Sequence, residues 1–292
     1  MRIVVACLVA VAIAAALAGA ATRRFEVRVD DEARALLDGA RHRAPPVVEA
    51  RDLATLPAPV QRWLEVSGVV GHARAATVRL KQRGELRTGP DKPWMPVEAE
   101  QYFSVDPPGF VWRVHAKMAR VPPIAGRDRY TAGRGHMLIK VASLFAVADA
   151  AGPEIDQGAL LRYLGEIVWF PSAALSNTIT WSAIDDHSAR ATMRYGDVTA
   201  SMIYNFDDRG RVAQQTAERY MTGAGPARLE RWVIPVTEWR KFCGIEVPSR
   251  GDAVWKLPEG DFNYYRWEIV DIEVNHPALY ADEPGAPPQV NR

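Results

Sequence analysis

From Thr77 the hydropathy of the chain repeats every second residue. In Thr77–Leu86 the positions Val78, Leu80, Gln82, Gly84 and Leu86 alternate with Thr77, Arg79, Lys81, Arg83 and Glu85. In Val97–Val105 the positions Val97, Ala99, Gln101, Phe103 and Val105 alternate with Glu98, Glu100, Tyr102 and Ser104. Asp106-Pro107-Pro108-Gly109 is a turn, after which Phe110, Trp112, Val114, Ala116 and Met118 alternate with Val111, Arg113, His115 and Lys117. Successive side chains of a strand point to opposite faces, so this pattern predicts antiparallel strands with one apolar face and one face in water. It predicts a hairpin over Val97–Met118 with Trp112 inward and Arg113 outward. A parallel sheet buried on both faces would show continuous apolar runs instead.

The alternation resumes at Ala189-x-Ala191-x-Met193-x-Tyr195, turns at Gly196-Asp197, and continues through Val198, Ala200, Met202, Tyr204 and Phe206. Asp207-Asp208-Arg209-Gly210 signals a turn before a strand at 211–221. Further strands are expected at 228–237, 252–257 and 263–274. In the last, the apolar face switches from Tyr265, Trp267 and Ile269 to Val270, Ile272 and Val274, which predicts a β-bulge. One helical stripe interrupts the strands: Leu160, Leu161, Leu164, Ile167 and Val168, with Asp156 as N-cap and Pro171 as terminator. It is expected to cover the apolar face of the sheet. The fold class is therefore mainly β (α+β), a large curved antiparallel meander sheet covered by one or two helices.

An apolar segment precedes this domain. Ile3–Ala21 carries no charge, and nine of its 19 residues are Ala. It reads as a signal peptide with an Ala-x-Ala-like cleavage site, or as a membrane anchor if it is not removed. Arg23-Arg24 would sit on the wrong side for an uncleaved anchor with its N-terminus inside. Either way the bulk of the chain is expected to be exported to the cell envelope, periplasmic or otherwise extracytoplasmic. The expected organisation is 1–22 signal or anchor, 23–55 short helix and linker, 56–276 one β-rich domain, and 277–292 a Pro-rich tail. Within the linker region a short helix is expected over 30–40, and a second over 56–68 with Gly68 as its C-terminal cap.

Lys+Arg 36 against Asp+Glu 35 leaves a net charge of +1, with no basic stripe to meet nucleic acid. Cys7 lies in the leader and Cys243 is alone in the domain, expected as a small core residue, which excludes a disulfide framework. There is no nucleophile elbow, phosphate loop, C-x-x-C or metal-ligand spacing among the six histidines, so no cofactor and no metal is expected. Three clusters could carry chemistry. Gly126-Arg127-Asp128-Arg129-Tyr130 is an ionic run entering a strand. Arg162, Tyr163, Glu166 and Trp169 sit on the cover helix, with Arg162 and Glu166 spaced for an i, i+4 pair. The third is the aromatic set that includes Trp112, Trp181, Trp232, Trp255 and Trp267, more aromatic surface than a thin core needs.

The motifs Leu56-Pro57-x-Pro59-Val60-x-x-Trp63-Leu64, Gln82-x-Gly84, Trp94-x-Pro96 and Ala99-x-Gln101 resemble those of a bacterial domain-of-unknown-function family of the cell envelope. Pro107-Pro108-Gly109-Phe110-x-Trp112, Asp128-x-Tyr130, Gly133-x-Gly135, Arg162-Tyr163-Leu164-x-Glu166-x-x-Trp169-x-Pro171, Trp181, Arg219 and Ile245-x-Val247-Pro248 extend the resemblance over 56–275. The order of elements is also similar to the half-barrels of periplasmic lipoprotein carriers of the LolA/LolB type. That similarity implies a concave apolar sheet closed by helices and holding acyl chains.

The expected function is to bind a hydrophobic or amphiphilic ligand on the concave face, with Phe103, Trp112, Asp128, Tyr130, Arg162, Glu166, Trp169, Trp181 and Arg219 as candidate ligand-binding residues and no catalytic residue assigned. Two alternatives stand beside it. One is a structural or assembly module whose partner is an envelope protein. The other is a hydrolase-like enzyme using Glu166 or Asp128 as acid/base, with Arg113, Arg129 or Arg219 holding an anionic substrate.

Overall fold

The computed structural model describes residues 2–40, 45–116, 122–222 and 225–283. Lys117 and Met118 of the expected hairpin, part of the expected linker, and the tail beyond residue 283 lie outside them.

Among the described residues, thirteen strands form one antiparallel sheet. A first meander comprises β1 (Thr77–Leu86), β2 (Met95–Ser104), β3 (Gly109–Ala116), β4 (Ile124–Thr131), β5 (Arg134–Val141) and β6 (Phe145–Ala150). A second comprises β7 (Ile179–Asp185), β8 (Ser188–Tyr195), β9 (Val198–Phe206), β10 (Val212–Met221), β11 (Arg228–Phe242), β12 (Ile245–Leu257) and β13 (Gly260–Val274). The two join where β1 pairs with β13, which leaves β6 and β7 as the sheet edges. The sheet curls into a half-barrel. The bulge expected in the last strand is there: Lys81 pairs with Asp271 and Gln82 with Ile269, so Val270 is passed over and the apolar face changes parity. A second register shift, between Ala253 and Val254, leaves Tyr264 as the extra residue between Asn263 and Tyr265.

Three α-helices among the described residues dress the sheet. α3 (Pro153–Glu166) links the two meanders and crosses the concave face, where Leu160, Leu161, Tyr163 and Leu164 are fully buried. It starts one turn before Asp156, which is not its cap. The buried Asp156 carboxylate instead accepts the Gly135 backbone N–H at 2.7 Å and an Arg134 guanidinium hydrogen at 2.9 Å, pinning the helix to the β4–β5 turn. The helix ends at Glu166 and continues as tight turns over Ile167–Trp169 and Pro171–Leu175. α2 (Ala58–Ser67) packs through Trp63 on Tyr204, Phe206 and Trp181, and Gly68 closes it at φ 76° as expected.

The outer face departs most from expectation. α1 (Arg2–Asp38) is one helix running through the apolar segment and the short helix expected over 30–40, and its later half lies on the convex face of β2–β5. Phe25, Val29, Ala33, Leu36 and Leu37 bury against Tyr102, Val111, Ala125 and Leu138. Leu279 and Tyr280, at the start of the expected tail, dock on the same face. The charged face of β1–β5 is thus covered, and Arg79, Arg113 and Arg127 are buried there with partners. Arg113 meets Glu26 at 2.8 Å, Asp30 at 2.7 Å and Glu100 at 2.6 Å. Arg127 meets Glu32 at 3.1 Å, and Arg79 meets Glu273 at 3.0 Å and Glu283 at 2.8 Å. Alternation separates two faces without saying what lies on the polar one, and a paired guanidinium can be buried.

Two smaller expectations also change. The linker is partly structured, with Val47 bridging to Ala73 and a turn over Ala50–Leu53. Cys243 is exposed in the β11–β12 turn at φ 49°, not in the core; its local backbone needs a turn conformation, which a core strand would not supply. Among the residues whose side chains are described, no helix is long and apolar enough to cross a membrane. Several residues between Ile3 and Ala21 fall outside that set.

Replacing Arg113 by Ala leaves three carboxylates facing one another beneath α1. The expected loss is about 3–5 kcal/mol of folding stability, as for other broken buried pairs. Urea unfolding of Arg113→Ala and Arg113→Lys checks this, with the lysine variant in between.

Candidate functional site

The pairing register sets a row of residues along the concave face beneath the last turns of α3. Gln82 of β1, Gln101 of β2, Trp112 of β3 and Asp128 of β4 follow from the contacts Gln101↔Trp112 and Trp112↔Asp128 and from the inward parity of Gln82. Arg162 descends into this row from α3. Its Nε donates to Glu166 Oε1 at 2.7 Å and its Nη1 to Asp128 Oδ2 at 2.7 Å. The guanidinium carbon lies 5.0 Å from the Phe110 ring centre and 4.6 Å from that of Trp112. Both are within cation–π range. The other Glu166 oxygen accepts from Gln101 Nε2 at 2.7 Å. Gln82 Oε1 accepts from Trp112 Nε1 at 3.0 Å and from Tyr265 Oη at 3.1 Å, and Tyr265 sits edge-on to Trp112. A Cβ at residue 84 would run into the Arg266 carbonyl and crowd the Tyr265 ring, so Gly84 is what lets β13 approach here.

The side chains of Arg162, Asp128 and Glu166 are 14%, 16% and 12% exposed, so the network is nearly dry yet open on one side. Burial penalises the Arg162 guanidinium, but the facing Glu166 and Asp128 carboxylates outweigh that and hold it firmly charged. For Glu166 burial wins: it pushes the carboxyl above its ordinary value, with Arg162 and Gln101 opposing in part and Asp128 adding to the rise. One arginine facing two carboxylates in a dry setting makes Glu166 the carboxyl whose hold on its proton is strengthened.

Of the residues singled out in the sequence, Trp112, Asp128, Arg162 and Glu166 come together. Phe103 and Tyr130 lie behind them in filled core, fully buried; Phe103 packs on Phe110, Tyr163 and Phe170. Trp169 follows α3 and packs edge-on against Trp267 at 5.6 Å. Trp181 belongs to the α2 contact and donates to the Ala174 carbonyl. Arg219 lies on the other meander, stacked 4.5 Å from Trp232. Sequence reasoning missed Gln82, Gln101, Phe110 and Tyr265. The legible signal was the pair of glutamines at inward strand positions, because a buried amide needs partners.

Beyond α3 the concave face is not filled to the same depth. Leu86, Met95, Trp112, Ile124 and Tyr265 are only partly buried, packed on Val97, Ala99, Val114 and Ala116. Leu257 and Tyr264 continue this band on β12 and β13. A separate cleft of about 640 Å³ lies on the convex side, between α1 and the β2–β3 and β4–β5 turns, with Arg24, Arg28, Leu36, Pro107 and Arg129 in its walls.

The molecule is thus an antiparallel half-barrel strapped across its concave face by a helix that carries a buried arginine–carboxylate network. Residues 46–267 match the family described as "Family of unknown function (DUF6544)", and the chain belongs to that family. Comparison with curated proteins finds no match. Among solved structures, the chain is similar to a DUF1329 family protein from Desulfovibrio piger, at 9% identity and TM-score 0.45, covering 78% of this chain and 97% of that one. It is similar to a putative outer membrane lipoprotein-sorting protein domain from Vibrio parahaemolyticus, at 8% identity and TM-score 0.39, covering 71% and 88%. It is also similar to a LolA superfamily protein from Nitrosomonas europaea, at 11% identity and TM-score 0.33, covering 76% and 96%.

The raised Glu166 gives a signed prediction. A carboxyl that binds its proton more tightly in the folded state adds stability below its unfolded value, and that stability is lost as pH rises through the folded value. The stability difference between the wild type and Glu166→Gln therefore shifts against the wild type as pH climbs from about 4.5 toward neutrality. Unfolding free energies across that range measure it; a pH-independent difference would show that Glu166 titrates normally.

Proposed function

We propose that the protein is an exported envelope protein that binds an amphiphile, a lipid or lipoprotein acyl chain, on the part of the concave face that α3 leaves uncovered. The observation that carries this reading is the band of half-buried apolar side chains: Leu86, Met95, Trp112, Ile124, Tyr264 and Tyr265. A packed domain completes its core, whereas a ligand floor keeps apolar surface in reach of solvent. Each methylene laid on such a floor contributes about 0.8 kcal/mol, so a chain of ordinary length binds well. The Arg162 network closes the inner end of the band. Its open side offers the Asp128 carboxylate beside a guanidinium already neutralised by its partners, which suits a neutral, hydroxyl- or amide-bearing polar group better than a second anion. Acid/base catalysis by Glu166 is the weaker reading, because Arg162 and Gln101 already occupy both of its oxygens.

The test is mass spectrometry of small molecules released from protein purified out of its native envelope in mild detergent. A stoichiometric lipid is expected, lost in Met95→Glu and Ile124→Glu while circular dichroism and melting temperature stay near those of the wild type. Phe103 is unsuited to this test, since a charge there would unfold the core. Protein that comes out well folded and empty overturns the reading.

A further inference from the structure

We propose that the open end of the concave face is turned toward a lipid bilayer, held there by the leading half of α1 and by the apolar tip of the β5–β6 hairpin. The purpose of this orientation, direct passage of an amphiphile between bilayer and sheet, rests on the function proposed above. The orientation itself stands on the placement of three features.

The first is the direction of α1. Leu36 lies against Gly109 at the start of β3. Asp30 and Glu26 reach Arg113, and Glu26 also reaches His115 at 3.2 Å, near the end of β3. Followed toward its N-terminus, the helix therefore runs down β3 and leaves the domain past Ala116. The second is the β5–β6 tip. Ile124 pairs with both Ala116 and Val141, so the turn after β5 lies at this same end. There Leu144, Phe145 and Val147 are 42%, 69% and 62% exposed. Leu86 and Met95, the outer limit of the half-buried band, pair with each other at this end too. The third is the leading half of α1. Val5, Val9, Ile13 and Leu17 form an exposed stripe at four-residue spacing. In the sequence, Ile3–Ala21 has no charge over 19 residues. As a helix this is about 28 Å long, close to the thickness of a bilayer's hydrocarbon core. Arg23 and Arg24 follow where the helix leaves the hydrocarbon; they run against the usual cytoplasmic excess of cations, and their long side chains meet lipid phosphates on the domain's side instead.

A water-exposed apolar stripe of this length is costly, and a bilayer covers it together with the β5–β6 tip in a single plane. A second copy added to the free β6 edge would cover Phe145 and Val147 and leave the α1 stripe bare, so the bilayer is the occupant that accounts for both.

The experiment uses the full chain with Cys7→Ala and Cys243→Ser, carrying an environment-sensitive nitrobenzoxadiazole label at Phe145→Cys or, separately, at Asp208→Cys. Asp208 is fully exposed in the β9–β10 turn beside α2. In phosphatidylcholine–phosphatidylglycerol vesicles, the label at 145 is expected to shift to the blue and to be quenched several-fold more by brominated lipid than the label at 208. Equal, water-like behaviour at both sites overturns the proposal. So does a blue shift at 145 without vesicles that grows with protein concentration, which would mean pairing of copies. Intact mass from native membranes is expected to include residues 1–21, and a chain beginning after Ala20 or Ala21 removes the anchoring half of the proposal. Lipid occupancy is read separately on the same sample: a tip in the bilayer over an empty floor keeps the orientation and sinks the amphiphile reading.

Discussion

The hold of Arg162 on the sheet organises the concave side of the molecule. α3 connects the two meanders and must cross the trough between them, so its position decides which part of the face becomes core and which stays open. Apolar contacts from Leu160, Leu161 and Leu164 supply most of the burial but allow sliding, since apolar surfaces are non-directional. The guanidinium removes that freedom. It reaches Asp128 on β4 and Glu166 on its own helix while lying over Phe110 and Trp112 on β3. At the other end of the helix, Asp156 does the same to the β4–β5 turn. Two polar pins in a dry setting fix one register of helix on sheet, and the half-buried band begins where the second pin ends.

The outer face obeys the same logic with the signs reversed. On the concave side the helix brings the cation and the strands bring a carboxylate and an amide. On the convex side the strands bring Arg79, Arg113 and Arg127, while α1, β2, β13 and the segment after β13 bring the carboxylates. α1 covers the convex face of β2–β5, and its direction relative to the sheet is set there. The direction in which α1 leaves the domain is set by where Glu26, Asp30 and Leu36 land along β3.

Much of this was legible in the chain because strand periodicity is a local property. The hairpin of β2 and β3, the inward Trp112, the bulge at Val270 and the strap helix all follow from alternation and its interruptions. Four of the nine candidate site residues meet in one network for the same reason: inward strand positions and one face of a helix must converge when the helix lies on the sheet. Trp181 and Arg219 share the inward parity but sit on the second meander, and parity alone says nothing about distance around a curled sheet. The β4–β6 strands were weakly marked, since Gly126-Arg127-Asp128-Arg129 puts charges where a strand pattern would be sought.

The sequence by itself determined the class of fold, the face each strand residue takes and the pairing of Arg162 with Glu166 four residues apart, because these depend on periods of 2 and 3.6 residues. Only the tertiary structure decided that the charged face of β1–β5 is buried, that α1 is a single helix laid upon it, and that Gln101, Asp128 and Gln82 complete the network. Those outcomes depend on which distant segments cover which faces, and a buried arginine and a solvated one look alike in the chain until the carboxylate that pairs with it is brought alongside.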